Sequence, residues 1–103
     1  MVEWAQVRRV VIITDTVIEA PILEHIMKSG ARGYNCVYCF GKGRHEVLED
    51  PFTGRSRVRI ELLVKEEVAE SIMDFVHEPQ FGPYPITAFM DTVEVDPRDE
   101  HFF

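Results

Sequence analysis

The chain has 103 residues, with 18 acidic side chains against 11 Lys and Arg, a formal net charge of −7, and 46% apolar residues. That length fits one domain able to bury a core, and the apolar fraction excludes a disordered chain. The acidic balance argues against a nucleic-acid binder, which needs a broad basic face, and no apolar run is long enough to span a bilayer.

The first residues, Met1-Val2-Glu3-Trp4-Ala5-Gln6, lack the charged and apolar regions of a signal peptide, so the expectation is a cytoplasmic protein with no membrane insertion. Residues 6–14 contain the apolar run Val10-Val11-Ile12-Ile13, the pattern of a strand buried on both faces. Thr16 and Glu19 form a capping-box pattern, and Val17, Ile18, Ile22, Leu23, Ile26 and Met27 recur at helical spacing, predicting a helix to about Ser29. Pro21 leaves two starts open: Thr16 as the cap with the proline in the second turn, or Pro21 itself at the first helical position. Gly30 is the expected terminator, and Gly33 marks a second tight point.

Residues 34–40 are rich in aromatic and β-branched side chains and predict a second strand, which contains Cys36 and Cys39 in a Cys-x-x-Cys spacing. On a strand, residues three apart point to opposite faces about 10 Å from each other, too far for a disulfide. The expectation is therefore two buried structural thiols rather than a redox pair or half a zinc site. After a loop from Gly41 to about Arg55, residues 57–65 alternate cleanly, with Val58, Ile60, Leu62 and Val64 on one face and Arg57, Arg59, Glu61, Leu63 and Lys65 on the other. Residues 66–77 place Val68, Ile72, Phe75 and Val76 on one face of a second helix that starts with acids. Pro79, Gly82, Pro83 and Pro85 predict a shaped loop without regular structure over 78–85. Residues 86–95 form a fourth strand, and 96–103 a charged tail.

Strand, helix, strand, strand, helix, strand is the order of an α+β, ferredoxin-like βαββαβ domain: a four-stranded antiparallel sheet with two helices on one face. The strands carry apolar residues on both faces, as in Val11 and Ile13 against Val10 and Ile12, or Ile86 and Met90 against Phe89 and Val93. A helix-free apolar face predicts a homo-oligomer packed through the sheets.

The segment 40–59 concentrates basic charge: Lys42, Arg44, Arg55, Arg57 and Arg59 against Glu46, Glu49 and Asp50. Gly41 and Gly43 flank Lys42, so backbone amides there can approach an anion. The plainer alternative is a hairpin loop with solvated charges. His45, Glu46, Glu49 and His101 lack closed ligand spacing, so no metal site is expected. His25 and His77 read as surface or capping residues, and Trp4, Phe102 and Phe103 as packing or tail groups.

In this order the chain resembles the PII signalling proteins, and more closely the PII-like regulators associated with bicarbonate transport or carboxysomes. The residues that carry the resemblance are Thr14-Asp15, Ser29-Gly30-Ala31-Arg32-Gly33-Tyr34, Gly41-Lys42-Gly43-Arg44, Ile60-Glu61-Leu62 and Asp91-Thr92-Val93-Glu94. The resemblance implies a single domain over 1–103, a homotrimer whose sheets face inward, a signalling T-loop at about 41–56 and a C-terminal tail at 96–103. It implies an adenine nucleotide in the cleft between subunits, with Gly41, Lys42, Gly43 and Arg44 at the phosphates, Asn35 and Glu61 of an adjacent subunit at the nucleoside, and Arg98 from the tail. The family's lysine in the loop before the last strand is missing here, where the segment reads Phe81-Gly82-Pro83-Tyr84-Pro85-Ile86-Thr87, and Glu100 stands in place of a second tail arginine. AMP, ADP or cyclic AMP is therefore favoured over ATP. Bicarbonate is a second candidate ligand, with Arg55, Arg57 or Arg59 to hold it, and a bicarbonate transporter or a carboxysome-related protein is a candidate partner. With no tyrosine between Gly41 and Arg55, loop-tip tyrosine modification is not expected. A trimeric divalent-metal-binding protein of the CutA type shares the fold and is the alternative function. A small ferredoxin-like enzyme is disfavoured, because no nucleophile has a neighbouring base.

Overall fold

A computed structural model describes residues 2–44, 56–101 and 103. Along the chain lie β1 (Ala5–Asp15), α1 (Glu19–Lys28), β2 (Asn35–Phe40), β3 (Ser56–Val64), α2 (Glu66–Val76) and β4 (Ile86–Val95). The strands form one antiparallel sheet in the order β2-β3-β1-β4, the ferredoxin-like arrangement expected from the element order.

Register decides which residues share a face. Val10 sits opposite Leu62, Ile12 opposite Ile60 and Thr14 opposite Val58, so the alternating residues of β1 and β3 form one apolar surface. Ile22 and Ile26 of α1 and Ala69, Ile72 and Val76 of α2 bury against that surface. Each such aliphatic side chain removed from water contributes roughly 1.5–3 kcal/mol. The helix-free face carries Arg9, Val11, Ile13 and Asp15 beside Arg57, Arg59, Glu61 and Leu63, and it meets β4 at Thr87, Phe89 and Asp91. Val11 is fully buried even there, while Val37 and Phe89 stay exposed. Arg9 crosses this face to Asp91 with two short bonds, 2.9 and 2.8 Å.

The helix starts and stops where backbone chemistry requires it. Asp15, not Thr16, caps the first turn, its Oδ1 accepting the Val17 N–H at 2.9 Å. A 3-10 turn over Thr16–Ile18 precedes α1, so the helical path begins before Pro21 and the proline is the third residue of α1. The first-turn amides of a helix have no internal acceptor, so the missing N–H costs little there. Gly30 takes φ +106°. The Ala31 N–H and Ser29 hydroxyl both donate to the Ile26 carbonyl, at 3.4 and 2.8 Å, a Schellman-type ending that favours glycine.

Two expectations need correction. Residues 78–85 do contain regular structure, a 3-10 turn at Pro79–Phe81 that buries Phe81. Proline presets its first backbone angle, and Phe81 meets Phe75 edge-on at 5.1 Å, while Phe75 stacks on His25 at 3.8 Å. The two cysteines are free and face opposite sides, but they are not both buried: Cys36 is half-buried and Cys39 exposed. β2 is an edge strand, so nothing in this chain's described residues covers its outer side.

Candidate functional site

β2 ends at Phe40 opposite Ser56, and the chain leaves the sheet through Gly41, Lys42 and Gly43 into a turn at Arg44. A groove of about 430 Å³ opens at this end of the sheet, lined by Gly41 to Arg44 together with Ile13, Cys39, Phe40, Arg57, Pro85, Ile86 and Thr87. Lys42 and Arg44 are exposed and can reach a ligand. Arg57 is 6% exposed and sits in register with Cys39 on one side and Asp15 on the other. No carboxylate is found among the described residues lining the groove. Three cations and the backbone of a glycine-flanked segment form an anion-attracting concavity. At Gly41 an added Cβ would meet nothing within 4 Å, so any need for glycine there comes from a ligand or neighbour rather than from this chain's own packing.

The remaining site candidates lie elsewhere. Asn35 and Glu61 face each other across β2 and β3, four residues along the strand from the Cys39–Arg57 pair, which is roughly 13 Å. Of the two described arginines offered for bicarbonate, Arg57 lines the groove, and Arg59 lies outside its lining and donates to Glu61 at 3.2 Å. Arg55 lies outside the described residues. Arg98 sits beyond β4 at the far end of the sheet, where Val95 pairs with Ala5. Its guanidinium forks onto Asp96, with Nε at 2.9 Å from Oδ1. That hydrogen bond holds the Asp96 carboxyl below its usual range and raises Arg98. Arg32 of the corner before β2 meets Glu100 of the tail at 3.9 Å.

Two further features of the groove's surroundings were not predicted as part of the site. Thr14 is wholly buried, and its hydroxyl donates to the Pro85 carbonyl at 2.8 Å. A threonine closing an apolar strand run is the signal that could have marked it. Beside β2, the Tyr38 hydroxyl donates to Glu19, which raises the tyrosine's pKa, while burial and the same carboxylate push the Cys36 thiol up. Among the described residues, no group of three or more His, Cys, Asp or Glu side chains is arranged to hold a metal ion.

The family model of nitrogen regulatory protein P-II matches residues 7–96. The chain belongs to the P-II family. Members of the family are signalling regulators. A PII-like signalling protein of Thermus thermophilus superposes with a TM-score of 0.76 at 27% identity, covering 98% of this chain and 99% of its own. CPII of Thiomonas intermedia, bound to ADP and bicarbonate, gives a TM-score of 0.81 at 19% identity over 95% of this chain and 96% of its own. The same CPII bound to ADP, AMP and bicarbonate gives 0.76 at 17% identity, over 95% of each chain. The likeness to CPII shows a shared P-II fold. No curated protein matches the chain in sequence. Among the described residues, no helix is long and apolar enough to cross a membrane.

Proposed function

We propose that the protein is a cytoplasmic, non-enzymatic PII-like regulator that binds an adenine nucleotide in clefts between the subunits of a trimer. The observation that carries this reading is the groove at the base of the loop, where Lys42, Arg44 and Arg57 converge beside Gly41 and Gly43 with no carboxylate among the described lining residues. Arginine offers paired donors to phosphate oxygens, and the glycine-flanked backbone leaves amides within reach of an anion. The facing wall, Pro85 to Thr87, adds no cation, which favours AMP, ADP or cyclic AMP over ATP. The ADP, AMP and bicarbonate in the CPII structures support the ligand class.

On one chain Asn35 and Glu61 are remote from the groove, and Arg98 is at the other end of the sheet. In a trimer these residues would complete a neighbour's cleft. The exposed Val37 and Phe89 on the helix-free face supply an apolar surface for such packing. Arg57 is the preferred bicarbonate residue because it lines the groove, and Arg55 and Arg59 are further candidates. The whole chain, 1–103, acts as one domain, its T-loop at about 41–56 meeting a partner protein and its tail at 96–103 carrying Arg98. The partner belongs to inorganic-carbon metabolism, a bicarbonate transporter or a carboxysome-related protein. Ligand signals through the loop to the extent that it binds two loop states with different affinity.

Light scattering gives the mass in solution, and calorimetry with AMP, ADP, cyclic AMP and ATP, with and without bicarbonate, gives the ligand. The expected result is a trimer that binds a mono- or diphosphate more tightly than ATP. A monomer at micromolar concentration would sink the inter-subunit cleft, and no heat with any nucleotide at millimolar ligand would sink the nucleotide reading.

A further inference from the structure

The wall of the groove opposite the loop base joins a proline-rich segment to the start of β4, where Ile86 and Thr87 pair in register with Thr14 and Ile13, and side chains hold the proline-rich part at two points. At one end Phe81 is buried against Phe75, and the Tyr84 N–H donates to the Phe81 carbonyl at 3.0 Å. At the other end the Thr14 hydroxyl donates to the Pro85 carbonyl at 2.8 Å. Proline has no N–H, so the carbonyl is the only backbone group through which residue 85 can be hydrogen-bonded, and Thr14 supplies its donor. Between the two anchors, Pro83 and Pro85 restrict the backbone, and a Cβ on Gly82 would lie 3.2 Å from the Pro79 carbonyl, so the segment is compact as well as tethered. The same strand end serves the groove directly: Ile13 lines it, and Asp15 lies in register with Arg57. Because side chains alternate on a strand, Thr14 points into the core while Ile13 faces the groove.

We infer that Thr14 is a positioning residue for the nucleotide groove, its hydroxyl fixing Pro85, where the wall enters the sheet, at the spacing that admits a mono- or diphosphate; this rests on the nucleotide reading above. A wall set in advance costs the ligand no ordering entropy. Selectivity against a third phosphate then comes from rigidity as well as from missing charge. Replacing the Thr14 hydroxyl with a methyl leaves the part-buried Pro85 carbonyl without its donor and frees Pro85 to shift at the edge of the groove.

The test is calorimetry of the full-length protein with ADP and ATP for wild type, Thr14→Val and Thr14→Ser, together with melting temperatures. Thr14→Val is expected to weaken ADP binding about threefold to tenfold, the loss of one hydrogen bond, and to narrow the ADP-over-ATP preference, while Thr14→Ser keeps both. A Thr14→Val protein that melts lower yet binds ADP and ATP as wild type does overturns the inference alone, since a merely structural role would leave affinity and selectivity in place. Wild-type protein that binds no nucleotide overturns the nucleotide reading and this inference with it. Hydrogen exchange at the amides of Gly82, Tyr84, Ile86 and Thr87 in the wild type, with and without ADP, tests the preset wall on which the inference depends, independently of how the variants fold. Equal protection in both states supports a preset wall, and a large gain on adding ADP refutes it.

Discussion

The two ends of the sheet surround positive charge with different described neighbours. At the far end Arg98 is clamped by Asp96 and Arg32 meets Glu100. At the loop end Lys42, Arg44 and Arg57 share a groove whose described lining contains no acid. In a chain of net charge −7 a basic groove whose described lining holds no acid is unusual placement, and it marks a candidate site for an anionic ligand. The far-end arginines illustrate the converse, since an exposed cation already matched by a neighbouring carboxylate gains less from a further anion.

The strongest way to break this contrast is to remove the exposed cations of the groove. Lys42→Ala with Arg44→Ala should lower ADP affinity about a hundredfold by calorimetry, because two charge-assisted contacts are lost together. An unchanged affinity would move the site elsewhere. Making the loop end resemble the far end is the next largest change: Thr87→Asp places a carboxylate on the wall and should cost about tenfold in ADP affinity. Arg98→Ala should have a smaller effect, about threefold, because Asp96 competes for that guanidinium. A loss as great as that of the loop-base double variant would erase the distinction between the ends.

The smallest effect is on the acid limb of stability. Asp91 beside Arg9 and Asp96 beside Arg98 both titrate below the ordinary aspartate value. Their folded values are depressed, so their contribution is present above the ordinary value of about 3.9 and lost as pH falls through the lowered one. Thermal melts should show a shallow decline there, with Asp91→Asn and Asp96→Asn each flattening it. These pairs are exposed and screened, so the neutral-pH melting temperature should barely move.

The architecture was legible because periodicity speaks directly about burial. The alternation of Val58, Ile60, Leu62 and Val64 and the four-residue steps of α2 assigned their faces correctly. What was not legible depended on contacts between distant segments. The cap on Asp15 in place of Thr16 is a local choice between two neighbouring oxygens that spacing alone does not separate. The turn at Pro79–Phe81 forms because Phe81 finds Phe75, and the exposure of Cys39 follows from β2 lying at the sheet's edge. For the candidate site, the sequence motif brought Gly41, Lys42, Gly43 and Arg44 forward, and the structure adds Arg57 and Thr87 to the same groove. It also separates Arg57 from Arg59, a distinction that strand alternation hides because both point to the same face.

The opposed cysteines make the molecule a ready-made reporter. Cys39 is exposed and opens into the groove, whereas Cys36 is half-buried beside Glu19 with its thiol pKa pushed up. Alkylating reagents attack the thiolate, so brief labelling near neutral pH should modify Cys39 well before Cys36. A fluorophore attached in that way would sit at the rim of the groove and read its occupancy with no engineered residue.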